Sequence, residues 1–165
     1  MASDHYVIDQ VLADFLESDM AILVAACDAA HKPTISRGYG MRVSEDHARV
    51  TVFVTRQQSA AVLRDVEQTG RISVNATRIT DYESYQLKGN NAQIIEPDRQ
   101  DKQHVDQYIK GLGSEMAKVG ITPPQIENIL KSHGYQPLVG IRFTLQEVYN
   151  QTPGPGAGKA REPRA

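Results

Sequence analysis

Hydrophobic residues recur along this chain at two different spacings, and these spacings predict its helices and strands. Near the start they recur every three to four residues, which is the spacing of one helix face: Val7, Ile8, Val11, Leu12, Phe15 and Leu16. The pattern predicts a first helix, with the side chain of Ser3 or Asp4 capping its first turn.

Six extended segments are predicted from the rest of the pattern. They cover residues 20–27, 34–43, 50–55, 72–77, 82–95 and 139–145. The second segment is interrupted by Gly38 and Gly40, and glycine inside a strand pattern marks a bulge or a close approach to the backbone. In the third segment valine alternates strictly with Thr51, Phe53 and Thr55, which makes this segment the clearest strand.

Helical spacing also returns in the middle of the chain. A short helix is predicted over residues 59–68, and Gly70 can adopt the left-handed conformation just past its end. A helical insert is predicted over about 98–132, in which Thr122 followed by Pro123 starts a separate helix.

Together these elements predict a mainly β, α+β fold, namely a closed or nearly closed six-stranded barrel with flanking helices. One domain is expected over 1–149, followed by a tail over 150–165 that is rich in Gly and Pro and then basic. The βαβ rhythm of a parallel sheet is missing, as are a glycine-rich dinucleotide-binding turn and a Gly-Lys-Ser/Thr phosphate loop. The two common nucleotide-binding folds are therefore disfavoured.

Charge and cysteine content narrow the class of protein. With a formal net charge of −2 and a pI near 6.2, the 165-residue chain has no global field that attracts nucleic acid or an anionic membrane. Cys27 is the single cysteine, which excludes an intramolecular disulfide and a cysteine-built zinc site. The longest apolar run, residues 20–27, is too short to span a bilayer. We expect a cytoplasmic protein without nucleic-acid or membrane partners.

Side-chain constellations for catalysis or metal binding are missing from the sequence. The five histidines are scattered at spacings that do not suit a metal site. Cys27 ends an apolar strand, where a lone cysteine is expected to be a buried, inert thiol. Ser36, Ser59 and Ser84 lack a nucleophile-elbow context. No catalytic residue is assigned, and a reaction in this protein would need a cofactor.

Basic and hydroxyl residues gather at two places in the predicted fold. Arg37 and Arg42 lie on the glycine-interrupted segment, and Thr55, Arg56 and Ser59 lie where the third strand meets the second helix. A helix start offers unpaired amides, hydroxyls are short donors, and arginine adds a charged fork, so this combination favours a phosphate group. The alternative is that Ser59 only caps the helix and that the arginines are solvated.

Four segments carry a resemblance to a known family: 33–42 (PTISRGYGMR), 52–59 (VFVTRQQS), 82–89 (YESYQLKG) and 150–158 (NQTPGPGAG). In this order they resemble the split barrels that bind flavin mononucleotide (FMN) and are related to pyridoxamine 5′-phosphate oxidase, in an uncharacterised branch of that superfamily. The resemblance implies a six-stranded antiparallel split β-barrel of the FMN-binding type, with an FMN cofactor held at a two-fold interface. A homodimer is therefore expected, in which each site draws on both chains.

The same resemblance implies individual cofactor contacts. Arg37 and Arg42 match the family's two basic positions along the flavin, and Thr55 and Ser59 match its phosphate-side hydroxyls. Residues five positions apart point to opposite faces of a flat strand, so both arginines reach one FMN only if an intervening glycine permits a bulge. Otherwise one arginine faces the partner subunit.

Two further expectations concern residues near this predicted site. The family's serine is usually followed by two basic residues, which are Ala60 and Ala61 here. Arg56 and Lys88 are the candidates to replace the lost charge, and a weaker or different phosphate clamp is the alternative. Gln86 and Lys88 share one face of the fifth strand and either contact the flavin or substrate or form an exposed sheet face.

Three functions follow from this reasoning. The first is an FMN-dependent oxidoreductase that acts on an unidentified small molecule or electron donor. The second is a non-catalytic module that stores, senses or delivers flavin or haem, and the third is a dimeric β-barrel interaction protein without a cofactor. By composition the tail is a flexible linker, whereas the resemblance implies that it packs near the flavin.

Overall fold

A computed structural model describes residues 6–132 and 137–163 of the chain. The predicted caps Ser3 and Asp4 and two of the five histidines, His5 and His133, lie outside the described residues. Four helices are present in the described part: α1 (Gln10–Leu16), α2 (Ala60–Thr69), α3 (Arg99–Lys118) and α4 (Pro123–Ser132).

The strands form one antiparallel sheet in the order β2-β1-β5-β6-β7-β4-β3. Their bounds are β1 (Ala21–Cys27), β2 (Pro33–Arg37), β3 (Met41–Val43), β4 (Arg49–Thr55), β5 (Ile72–Thr77), β6 (Ser84–Ile95) and β7 (Leu138–Asn150). The predicted mainly β split barrel with flanking helices is confirmed, but it has seven strands in the described part rather than six.

The additional strand arises because residues 34–43 break in two at Gly38–Gly40. Strand β2 pairs with β1, whereas β3 pairs with β4 at the other edge of the sheet. Between them the Gly38 amide donates to the Ile22 carbonyl at 2.9 Å, and the Tyr39 amide donates to the Phe53 carbonyl at 2.7 Å. The three linking residues therefore connect the two edges of the sheet and close the barrel.

Gly38 is required at this crossing because the two strands pack tightly against it. A Cβ at this position would lie 2.4 Å from Cγ2 of Ile22 and 3.2 Å from Cγ2 of Val52. Both contacts are shorter than carbon atoms tolerate without movement of the neighbours. The interruption that the sequence shows as a glycine is thus a close approach of backbone to side chains.

Three of the described helix ends follow capping rules. Helix α1 begins after Asp9, whose side chain accepts a hydrogen bond from the Leu12 amide at 2.8 Å, so the cap is Asp9 rather than Ser3 or Asp4. Helix α2 ends at Gly70 in the left-handed conformation (φ 64°), and α4 begins at Pro123, as the sequence predicts.

Helix α3 covers the outer face of the sheet near β3 and β4. Buried side chains of one helix face make this contact, and the Tyr108 hydroxyl donates to the Met20 carbonyl at 2.5 Å. Burial raises the pKa of Tyr108 far above its ordinary value, so this phenol remains a donor at neutral pH. The helical insert is thus fixed to the barrel by a buried hydrogen bond.

The C-terminal residues up to 163 lie against the barrel. The Arg161 amide donates to the Val148 carbonyl at 2.7 Å, and the Arg161 guanidinium lies 2.7 Å from the Asp9 carboxylate and 3.1 Å from the Tyr6 hydroxyl. The segment therefore joins the end of β7 to the start of α1. Among the described residues no helix is long and apolar enough to cross a bilayer.

Candidate functional site

The turn between β4 and α2, defined here as the 55–59 turn, holds two buried hydroxyl residues. Thr55 ends β4, and Ser59 precedes the first residue of α2; each is 1% exposed. The Ser59 amide donates to the Thr55 carbonyl at 3.0 Å, which fixes the turn. The Ser59 hydroxyl does not cap the helix and instead lies 2.6 Å from the Ser36 hydroxyl of β2.

As a result, helix α2 begins without a side-chain cap. The amides of Ala60, Ala61 and Val62 have no hydrogen-bond acceptor among the described residues. Such a helix start carries a partial positive charge and favours an anionic oxygen in front of it. The simple capping role that the sequence allowed for Ser59 is not what this hydroxyl does.

The side chain of Gln58 connects this turn to the segment that closes the barrel. Its Oε1 atom accepts from the Thr55 hydroxyl at 3.5 Å and from the Tyr39 hydroxyl at 3.4 Å. Burial raises the pKa of Tyr39, although the nearby Arg37 opposes the shift, so the phenol keeps its proton at neutral pH. One exposed amide oxygen thus receives two hydroxyl donors that a ligand oxygen could also receive.

Arg37 lies next to this group. Its guanidinium carbon is 6.0 Å from the centre of the Tyr39 ring, within the range of a cation–π contact. Arg37 and Thr55 are therefore linked through Tyr39 and Gln58, and Ser59 joins Thr55 through its backbone amide.

Arg42 and Arg56 are held by acidic partners elsewhere. Arg42 on β3 forms an ion pair with Asp101 of α3 at 2.8 Å, beyond the point where the strand breaks. Arg56 is exposed and pairs with Glu96. An FMN contact from either arginine stays a prediction.

Gln86 and Lys88 lie on the outer face of β6. Gln86 donates to the Ser73 hydroxyl at 3.2 Å and accepts from the Gln151 amide at 3.3 Å. Lys88 lies 3.9 Å from the Glu147 carboxylate and 4.6 Å from the centre of the Tyr149 ring. The tail thus reaches Gln86 through Gln151.

The strand register places Arg37 on the same outer face as these two residues. Arg37 pairs with Leu23, Leu23 pairs with Asn75, and Asn75 pairs with Gln86. Leu23 and its neighbour Ile35 are 48% and 67% exposed. This outer face therefore combines a cation, amide groups and exposed aliphatic side chains.

A depression of about 700 Å³ opens on the same face. Its floor and walls come from β1, β5, β6 and β7, and they include Ala25, Cys27, Arg71, Ser73, Lys88 and Asn90. No group of three or more histidine, cysteine or acidic side chains that could hold a metal is found within residues 6–132 and 137–163.

Three residues of the candidate site were missed by sequence reasoning. Ser36, Tyr39 and Gln58 touch the predicted residues directly. Tyr39 stands between the two glycines of the closing segment, and Ser36 directly precedes Arg37. Only Tyr39 carried a signal, because a large aromatic residue between two glycines indicates a side chain for which the backbone makes room.

The donor set fits the phosphate end of FMN. Unpaired helix amides, hydroxyl groups and a guanidinium all donate hydrogen bonds to phosphate oxygens, and the nearby face offers aliphatic and amide contacts for a flat ring.

Comparisons with known proteins show the fold. No family model matches the sequence, and no curated protein resembles it. Among solved structures, HupZ from Group A Streptococcus has 18% identity over 92% of this chain and 100% of that chain, with a TM-score of 0.54. An F420 reductase has 10% identity over 86% of this chain and 98% of that chain, with a TM-score of 0.55.

A third structure is described as a putative pyridoxamine 5′-phosphate oxidase from Lactobacillus delbrueckii. It has 12% identity over 90% of this chain and 97% of that chain, with a TM-score of 0.50. At these identities the similarity concerns the fold alone. The chain therefore has the split-barrel fold that is also found in a pyridoxamine 5′-phosphate oxidase-like protein and an F420 reductase.

Proposed function

We propose that this protein is a homodimer that binds FMN and uses it to oxidise or reduce a small molecule. The observation that carries the proposal is the uncapped start of α2 beside the hydroxyls of Ser59 and Thr55, with Arg37 close by. This arrangement gathers hydrogen-bond donors in one place, and the first amides of α2 have no acceptor in the part of the chain that the structure describes.

The phosphate lies in front of the 55–59 turn in this proposal. The first amides of α2 and the Arg37 guanidinium bind its oxygens, and the phosphate displaces Gln58 Oε1 from the Thr55 and Tyr39 hydroxyls. The distances of 3.4 and 3.5 Å to that amide oxygen are long for O–H donors, so the exchange costs little. Charged hydrogen bonds to phosphate replace weak neutral ones.

The flavin ring lies along the outer face between Arg37 and the Gln86–Lys88 side. Gln86 offers an amide for ring heteroatoms, and its orientation is set by Ser73 and Gln151. When bound, FMN supplies the electron or hydride transfer. The protein orients the ring and excludes water from it, and Tyr39 holds its proton at neutral pH beside the phosphate end.

A second copy of the chain covers this outer face. Leu23 and Ile35 are exposed on adjacent strands next to Arg37, and contact with the same face of a second copy would remove both side chains from water. A two-fold contact brings the same face of both chains together and encloses two equivalent flavins. The monomer alone would leave the ring open to water.

The test is an FMN titration of the purified protein, followed by flavin absorbance and fluorescence. Arg37→Ala is expected to weaken FMN binding by about 1.5–3 kcal/mol, the usual value of a charged hydrogen bond. Arg49→Ala is the matched control, because Arg49 is an exposed arginine that pairs with Asp46 away from the turn. Equal affinities of the wild type and Arg37→Ala for FMN would remove Arg37 from the site.

Turnover is tested separately from binding. Bound FMN that is reduced by a nicotinamide nucleotide or another reduced carrier supports the oxidoreductase. Tight flavin colour without reduction by any such donor favours a protein that stores or delivers the cofactor. A colourless protein that gains no thermal stability from excess FMN contradicts both.

A further inference from the structure

The 700 Å³ depression on the outer face has a floor of small apolar groups and a rim of hydrogen-bond donors. Ala25 and Cys27 point outward on β1 and contribute the apolar part, and Arg71, Ser73 and Asn90 contribute donors. Its volume lies in the range of about 300–1,000 Å³ that is usual for small-molecule sites. It is much larger than a phosphate group requires.

The positive charge of Arg71 has no acidic partner among the described residues. Lys88, the other cation of the depression, has the Glu147 carboxylate at 3.9 Å and the Tyr149 ring beneath its ammonium group. The Arg71 guanidinium has neither an ion pair nor a hydrogen bond to any side chain in the described part of the chain. An exposed arginine at the rim of a cavity favours a ligand that brings a negative charge.

The hydrogen bonds of the neighbouring side chains also favour an anionic ligand. Gln151 donates to Gln86, and Gln86 donates to the Ser73 oxygen. The Ser73 hydroxyl thus has its acceptor site used, and its own hydrogen has no acceptor among the described residues. Ser73 therefore presents a donor to the depression, next to the arginine.

A β-bulge shapes the wall that carries Lys88. The pairing of β6 with β7 shifts between Lys88 and Gly89. A Cβ on Gly89 would lie 2.2 Å from Cδ2 of Phe143, so only glycine lets the strand approach the core here. Bulges of this kind are common beside functional sites, because they change the direction of a side chain.

We propose that this depression is the substrate site beside the flavin, and that the substrate is a small organic anion with a flat or aliphatic body. Its carboxylate or phosphate binds Arg71 and the Ser73 hydroxyl, and its body lies on Ala25 and Cys27. The assignment as a substrate site rests on the proposed function, whereas anion binding in the depression does not.

The experiment uses anilinonaphthalene sulfonate, a flat aromatic anion, as the probe of the intact protein. Arg71→Gln is expected to weaken its binding roughly two- to fivefold, the range expected for a partly solvated charge pair. Arg71→Lys keeps the charge and restores part of the affinity. Ala25→Phe fills the depression from an outward-facing position and is expected to abolish binding, while thermal unfolding confirms that each variant is folded.

Arg49→Gln serves as the matched loss of an exposed arginine, and its probe affinity should equal that of the wild type. Equal weakening by Arg49→Gln and Arg71→Gln, or full probe binding by Ala25→Phe, overturns the proposal. FMN titrations run in parallel separate the two claims. Arg71-dependent probe binding without FMN binding overturns the flavin function but not the anion site, and FMN binding with Arg71-independent probe binding does the reverse.

Discussion

Replacement of Ala60 by arginine tests the phosphate position by a gain of affinity. Ala60 is the exposed first residue of α2, directly after Ser59, and it stands where the resembling family carries a basic residue. A gain of FMN affinity cannot be explained by a damaged fold. Ala60→Gln is the matched control, because glutamine adds length and donors without charge.

The expected magnitude combines two opposing effects. A charged hydrogen bond to phosphate contributes about 1.5–3 kcal/mol when shielded, but exposure of the helix start reduces it to about 1 kcal/mol, or roughly a fivefold tighter FMN complex. Without FMN, a cation at a helix N-terminus is unfavourable by about 0.3–1 kcal/mol. For a chain of this size that lowers Tm by roughly 1–3 °C.

The assay compares FMN with riboflavin, which lacks the phosphate. Fluorescence titration of both ligands is run on the wild type, Ala60→Arg and Ala60→Gln, with thermal unfolding of each apo protein. The account requires that Ala60→Arg bind FMN more tightly than the wild type does, and that its affinity for riboflavin stay unchanged. A gain for both ligands, or no gain for FMN with a lowered apo Tm, refutes the placement of the phosphate at the 55–59 turn.

Further predictions concern the fold, its pH dependence and the interface. Gly38→Ala is expected to lower the free energy of unfolding in urea by about 1–3 kcal/mol, because the new Cβ meets Cγ2 of Ile22. The double variant with Ile22→Ala should be destabilised by less than the sum of the two single effects, since the second change removes the obstructing atom. Additive effects would contradict this explanation. The hydrogen bond from Thr34, with help from the adjacent arginine, holds the pKa of buried Asp65 below its ordinary value. The stability that Asp65 contributes is therefore complete above its unfolded-state pKa of about 3.9 and is lost as the pH falls through the lower folded pKa. The difference in the free energy of unfolding between the wild type and Asp65→Asn should shrink below about pH 4. A constant difference in urea melts from about pH 3 to 7 would contradict the shift. Ile35→Asp should yield folded monomers in sedimentation experiments, since Ile35 is exposed in one chain, and an unchanged dimer would place the interface elsewhere.

The sequence predicted the strands well because alternation along a half-buried strand is a local property. The break within residues 34–43 was not predicted as two strands, since it depends on where β1 and β4 lie in space. The glycines marked the place, but only the contacts of Gly38 with Ile22 and Val52 show why the chain crosses there. The start of α1 was misplaced because apolar spacing continued through Val7 and Ile8, ahead of the Asp9 cap.

The 55–59 turn of the candidate site could be predicted from the sequence, but the side chains that contact it could not. Thr55 and Ser59 follow a strand and start a helix, and this order is visible in the sequence. The Ser36 contact to Ser59 and the Gln58 contact to Tyr39 join segments that are distant along the chain. The side chains of Arg42 and Arg56 could not be placed from spacing, because their acidic partners lie on other elements.

A crystal structure of the protein grown with FMN tests the central claim most directly. The account predicts a flavin between two chains, with its phosphate oxygens at hydrogen-bond distance from the first amides of α2 and from Arg37, and with Gln58 moved away from Thr55. A structure in which the flavin phosphate lies elsewhere, while Gln58 still accepts from Thr55 and Tyr39, would contradict it.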